Sequence, residues 1–120
     1  MTWDEIADEQ RRAAQELIAK KNSCPRASCS RSYYAAYALV AGKVPASMVL
    51  AYVNNPGHNQ LLGIVDQLRG VPKRQVKLAL RRLRLSRVTA DYGVGINVSN
   101  SEAKQRLRDC AYVFRELAGR

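Results

Sequence analysis

Apolar residues return at the three- and four-residue spacing of a helix along most of the chain, and this periodicity leaves a helical bundle as its natural architecture. Trp3, Ile6, Ala7, Ala13, Ala14, Leu17 and Ile18 share one face. Thr2 offers an N-cap, Asp4 and Glu5 stand in the first turn, and Lys20, Lys21 and Asn22 close the helix with charge suited to its negative end. Ser23 and Pro25 introduce a second helix from about Arg26 to Gly42, whose small residues Ala27, Ala35, Ala36, Ala38 and Ala41 allow close helix approach. Pro45, Asn54, Asn55, Pro56 and Gly57 make residues 43–58 mostly loop, with room for a short helix over 47–53. A third helix fits His58 to Leu68 and is terminated by Gly70. Pro72 opens a fourth, running to about Ala90, with Val76, Leu80 and Leu83 on one line and Leu78, Leu85 and Val88 beside it.

The segment from Asp91 to Val98 is turn-rich, and its brief alternation suits a short extended piece that has no partner strand. Ser99 followed by Glu102 reads as a capping box for a last helix carrying Ala103, Leu107, Cys110, Ala111, Phe114, Leu117 and Ala118. The expectation is one all-α domain over residues 1–120, a four- to five-helix up-and-down bundle.

Charge narrows what such a bundle meets. Twenty Lys and Arg stand against ten Asp and Glu, a formal net charge of +10, which favours polyanions, nucleic acid first among them. The excess is concentrated in the fourth helix. Between Lys73 and Arg87 lie seven basic residues and no acidic one, and Lys73, Lys77, Arg81 and Arg84 form a stripe at helical spacing. Like charges so placed repel by a few tenths of a kcal/mol each, roughly, so a phosphate backbone explains the stripe better than solvation does. A merely solvated face is the plainer alternative.

Other chemistry is sparse. Tyr33, Tyr34 and Tyr37 follow Arg31; Tyr33 and Tyr37 share a face and Tyr34 lies about 100° away. Their rings could stack on bases, though tyrosines at such positions more often fill core and interface. The single histidine, His58, stands at a helix start, where capping is the commoner role than proton transfer. Cys24, Cys29 and Cys110 could be assembled with His58 into a zinc site on paper, but the spacing is loose, and free thiols of a reducing cytosol fit better. No metal and no cofactor are expected: there is no glycine-rich phosphate loop, no carboxylate pair and no nucleophile elbow. The opening MTWDEIADEQ is acidic and amphipathic, unlike a secretory leader, and the longest apolar run, Tyr33 to Ala41, is far short of a membrane span, so a cytoplasmic location without membrane contact is expected.

The stretch SRSYYAAYALVAGKV, Ser30 to Val44, resembles the second-helix signature of the HEPN superfamily, in the bacterial branch patterned roughly A-x-x-R-x-Y-Y-A-x-F-H. Arg31, Tyr33, Tyr34 and Ala35 match, Tyr37 stands where Phe is frequent and Ala38 where His is frequent. RLRLSRVTADYG, Arg82 to Gly93, resembles the branch's L-x-x-x-R-x-x-A-D-Y segment through Leu83, Arg87, Ala90, Asp91 and Tyr92. A histidine followed by an amphipathic helix between the motifs, here His58 to Leu68, is also usual, and the resemblance spans Thr2 to Leu117.

The resemblance implies a HEPN-like bundle, usually a symmetric homodimer, paired with a minimal nucleotidyltransferase in a toxin-antitoxin or defence module. It also implies binding of RNA or nucleotides, with metal-independent ribonuclease activity in members carrying an R-x4-6-H motif. Arg87, Asp91 and Tyr92 are the catalytic candidates by position, and Tyr92 corresponds to a tyrosine that related toxins have nucleotidylated. Lys73, Lys77, Arg81, Arg84 and Arg31 are the candidates for holding nucleic acid. The departure is plain: Tyr92 occupies the place after Arg87-x4, and no histidine lies downstream. The alternative is a non-catalytic interaction module in which Arg87 and Asp91 pair, Tyr92 packs at a dimer seam and the basic stripe docks a partner protein.

Overall fold

The structure is a computed structural model that describes residues 1–44 and 56–120. Among these residues five α-helices follow in order: α1 (Trp3–Ala19), α2 (Pro25–Ala41), α3 (His58–Asp66), α4 (Lys73–Tyr92) and α5 (Asn100–Leu117). Among the described residues there is no strand, and no helix is long and apolar enough to cross a membrane. The all-helical bundle expected from periodicity is therefore present. The short helix expected over 47–53 lies outside the described residues.

The bundle is organised around α2, which packs against all four other helices. Its composition explains why. Ser28, Cys29, Ser32, Ala35, Ala36, Ala38, Leu39, Val40 and Ala41 are buried on several sides at once, and side chains this small let neighbouring axes approach closely. Against them α1 presents Ala7 and Ala14, both fully buried, and the Ser28 hydroxyl donates to the Ala14 carbonyl at 2.9 Å, satisfying a polar group inside this seam. From the other side α4 inserts Val76, Ala79, Leu80 and Leu83, and α5 inserts Cys110, Val113, Phe114 and Leu117. A smaller cluster of Cys29, Ala90, Val98 and Ala103 closes the end where α2 begins and α4 stops.

Helix ends follow local chemistry. Thr2 and Glu5 form a reciprocal capping box on α1, and the Ser99 hydroxyl accepts the Glu102 amide at 3.1 Å. Gly70, at φ +71°, takes the left-handed conformation in the turn beyond α3.

Two expectations are corrected. Leu78 and Leu85, expected beside the apolar line of α4, are exposed, Leu85 at 69%. The buried face of α4 instead runs through Val76, Ala79, Leu80, Leu83, Ser86 and Ala90, on the sides that pack against α2 and α5. Asp91 and Tyr92, expected in a turn, form the last turn of α4.

Arg26 is the reason the helix extends that far. Its guanidinium donates to the carbonyls of Ala90 and Gly93 at 2.8 Å each, of Thr89 at 3.4 Å, and of Ile96. An arginine in the first turn of α2 is poorly placed for its own helix dipole. It is well placed for the negative end of α4, whose last carbonyls it caps. Gly93 completes the stop, since a Cβ there would meet the Thr89 carbonyl at 2.6 Å.

Candidate functional site

A cavity of about 590 Å³ opens where α1, α2, the start of α3 and the middle of α4 meet. Each helix sends one face into it. Trp3, Ile6 and Gln10 come from α1 at three- and four-residue spacing, and Arg84 and Arg87 from one side of α4. Helix α2 contributes Arg31 and its three tyrosines, and His58 enters from the first residue of α3. Three arginines, a histidine and four aromatic rings thus line the cavity, and among the described residues no carboxylate does.

The rings brace one another. Trp3 meets Tyr37 edge to face with centroids 5.9 Å apart, Tyr33 meets Tyr34 the same way at 5.7 Å, and the Tyr33 and Tyr37 rings are 6.2 Å apart. The Tyr37 hydroxyl donates to the Pro56 carbonyl at 2.8 Å, tying the entry of α3 to α2. Tyr33, only 6% exposed, places its hydroxyl 3.4 Å from Nδ1 of His58. Burial raises the Tyr33 pKa, with Arg84 opposing, so the phenol stays protonated. Burial, then Arg84 and Arg81, lowers the pKa of His58, so the imidazole is neutral at neutral pH.

Arg87 is held from two sides. Its Nη2 donates to the Tyr34 hydroxyl at 2.7 Å, and its Nε lies 3.0 Å from Asp91 Oδ2, an ion pair in which the N–H is not aimed for a hydrogen bond. The guanidinium also covers the Tyr34 ring at 5.3 Å and the Tyr92 ring at 5.6 Å. Burial acts against its charge, but the Tyr34 bond and the Asp91 carboxylate outweigh it, and the pKa is raised. Asp91 in turn accepts from the Ser30 hydroxyl of α2.

The predicted site residues therefore separate. Arg31, Arg84 and Arg87 converge on the cavity. Asp91 stands behind Arg87 on the exposed side, and Tyr92 is 69% exposed outside the lining. The stripe is less uniform than its sequence. Lys77 is paired with Asp66 of α3 at 2.8 Å, while Lys73 is half-buried and Arg81 is exposed outside the cavity lining. Neither Arg31, which donates to Gln10 at 3.2 Å, nor Arg84 has an ion-pair partner among the described residues.

Trp3, Gln10 and the role of His58 escape sequence reasoning. His58 is separated from Tyr33 by twenty-five positions, and no local spacing links the two. The paper zinc site does not assemble. Cys29 and Cys110 lie in separate core clusters, and among the described residues no three His, Cys, Asp or Glu stand where they could hold a metal. Burial pushes these thiols up to about 11 and about 12, leaving them protonated packing groups. Compared with known protein families, curated proteins and solved structures, the chain matches none.

Proposed function

We propose that this chain is a HEPN-like domain of up-and-down helices that binds RNA, or nucleotides, at the cavity between α1, α2, α3 and α4. The same proposal makes it a cytoplasmic homodimer working beside a minimal nucleotidyltransferase in a toxin-antitoxin or defence module. The binding role is supported above all by one observation: Arg31, Arg84, Arg87 and His58 line an aromatic cavity to which no carboxylate of the described residues contributes. Guanidinium groups match phosphate oxygens in pairs, and tyrosine and tryptophan faces stack on bases of any sequence. Cleavage is favoured by the position of His58, which supplies an imidazole to the cavity of Arg87 although none follows Arg87 in sequence.

The Arg87–Asp91 pair favours a second reading, a non-catalytic interaction module in which these residues serve structure alone. Incubation with total cellular RNA in EDTA, beside Arg87→Ala and His58→Gln, separates the readings. Salt-sensitive RNA binding that Arg87→Ala weakens is the expected result, and cleavage lost in both variants adds ribonuclease activity to it. Absence of both RNA binding and nucleotide binding at low salt overturns the proposal and leaves the interaction module.

A further inference from the structure

The charges around the cavity define what fits it more closely than nucleic acid in general. Of the three arginines, Arg87 already faces Asp91. Arg84 and Arg31 have no acidic partner among the described residues, and Arg31 contacts only the neutral amide of Gln10 through its guanidinium. Two uncompensated positive charges thus line one small space. An internal phosphodiester carries a single negative charge, whereas a phosphomonoester carries about −1.5 to −2 at neutral pH. The volume, about 590 Å³, is that of a small-molecule site rather than a strand-length groove. Tyr33 is too buried to offer a face, but Trp3 and Tyr37 are half-buried and line the space together.

We infer that the cavity binds one nucleoside monophosphate, free or as the 5′-phosphorylated end of an RNA, with its phosphate on Arg31 and Arg84 and its base against Trp3 and Tyr37. This inference rests on the binding role proposed above for the same cavity. It predicts that the terminal phosphate, not the length of the strand, dominates affinity.

The chain carries its own probe, because Trp3 is its single tryptophan. Emission of the full chain is followed during titration with adenosine 5′-monophosphate, adenosine and inorganic phosphate, with calorimetry as the second readout. The same titration uses a short single-stranded RNA with and without its 5′-phosphate. The monophosphate is expected to bind saturably, and adenosine or phosphate alone to bind at least about tenfold more weakly. The 5′-phosphorylated RNA is expected to displace the monophosphate and to bind about tenfold more tightly than its 5′-hydroxyl counterpart. Arg84→Gln and Arg31→Gln, both at exposed positions, should each weaken the monophosphate about tenfold while circular dichroism stays unchanged. RNA that binds equally with either 5′ end, while the monophosphate changes neither emission nor heat, overturns the inference and leaves RNA binding standing. Monophosphate binding without binding of the 5′-phosphorylated RNA upholds the free-nucleotide form of the inference and overturns its RNA-end form.

Discussion

Arg82 and Arg84 lie two residues apart on α4, about 200° apart around its axis, and their surroundings are opposite. Arg82 faces α5 and donates through Nη2 and Nε to Asp109, at 2.8 Å for the shorter bond, and the hydrogen bond raises its pKa. Arg106 joins the same carboxylate at 3.1 Å and reaches the Ser86 hydroxyl at 3.2 Å, closing a network within the protein. Arg84 faces the aromatic cavity, where no carboxylate of the described residues waits. The lesson is that net charge does not locate an anion site. Two arginines of one helix carry the same charge, and only the one left uncompensated by its own fold has it to offer a ligand.

The sharpest way to break this contrast is to free the satisfied face. Asp109→Ala removes the partner of Arg82 and of the mostly buried Arg106, and should lower stability by about 2 kcal/mol in urea unfolding. RNA affinity should stay where it was. Tighter binding in that variant would mean that any uncompensated arginine suffices and would erase the distinction. Arg87→Ala is the intermediate case, since Arg87 is both structural and cavity-lining. Loss of its Tyr34 bond should cost about 1 kcal/mol, and RNA binding should weaken with it. Arg84→Gln should shift stability by no more than about 0.5 kcal/mol, because the exposed guanidinium has no ion-pair partner among the described residues to lose. Its effect should appear in binding alone.

The smallest effect concerns acid. The pKa of His58 is lowered in the folded chain by burial and by Arg84 and Arg81, with Tyr33 beside the ring. The unfolded chain therefore takes up that proton first as pH falls through 6.5, and the folded state loses stability below that point while remaining unaffected above it. Melting temperatures at about pH 8 and about pH 5.5 should fall further in the wild type than in His58→Gln. An equal fall in both would show that the cavity places no strain on the imidazole's charge.

Much of the fold is legible from periodicity, because helix packing repeats an apolar face every three or four residues. The faces of α1 and α5 are visible this way. Helix α2 is less so: buried on several sides, its small residues carry no single stripe, and only its contacts reveal it as the centre. Leu78 and Leu85 mislead for the complementary reason, since leucine at helical spacing shows what a face could bury and not whether a neighbour arrives. The end of α4 is illegible locally, because Arg26, sixty-four positions from Ala90, decides it. The candidate site divides in the same way. Arg31, Arg84 and Arg87 stand out as basic residues at motif positions, whereas His58, Trp3 and Gln10 become neighbours of those arginines only after four helices meet.

Sequence alone determined that this chain is helical, strongly basic and richest in charge on α4, because spacing and composition are properties of the chain itself. Apart from Arg87, whose partner Asp91 stands one turn along the same helix, tertiary structure decided which of those charges are cancelled. Compensation depends on carboxylates such as Asp66 and Asp109, which lie on other helices and reach their arginine or lysine only through packing. Coulomb attraction acts over a few ångströms of space, and nothing in the linear order of residues measures that distance.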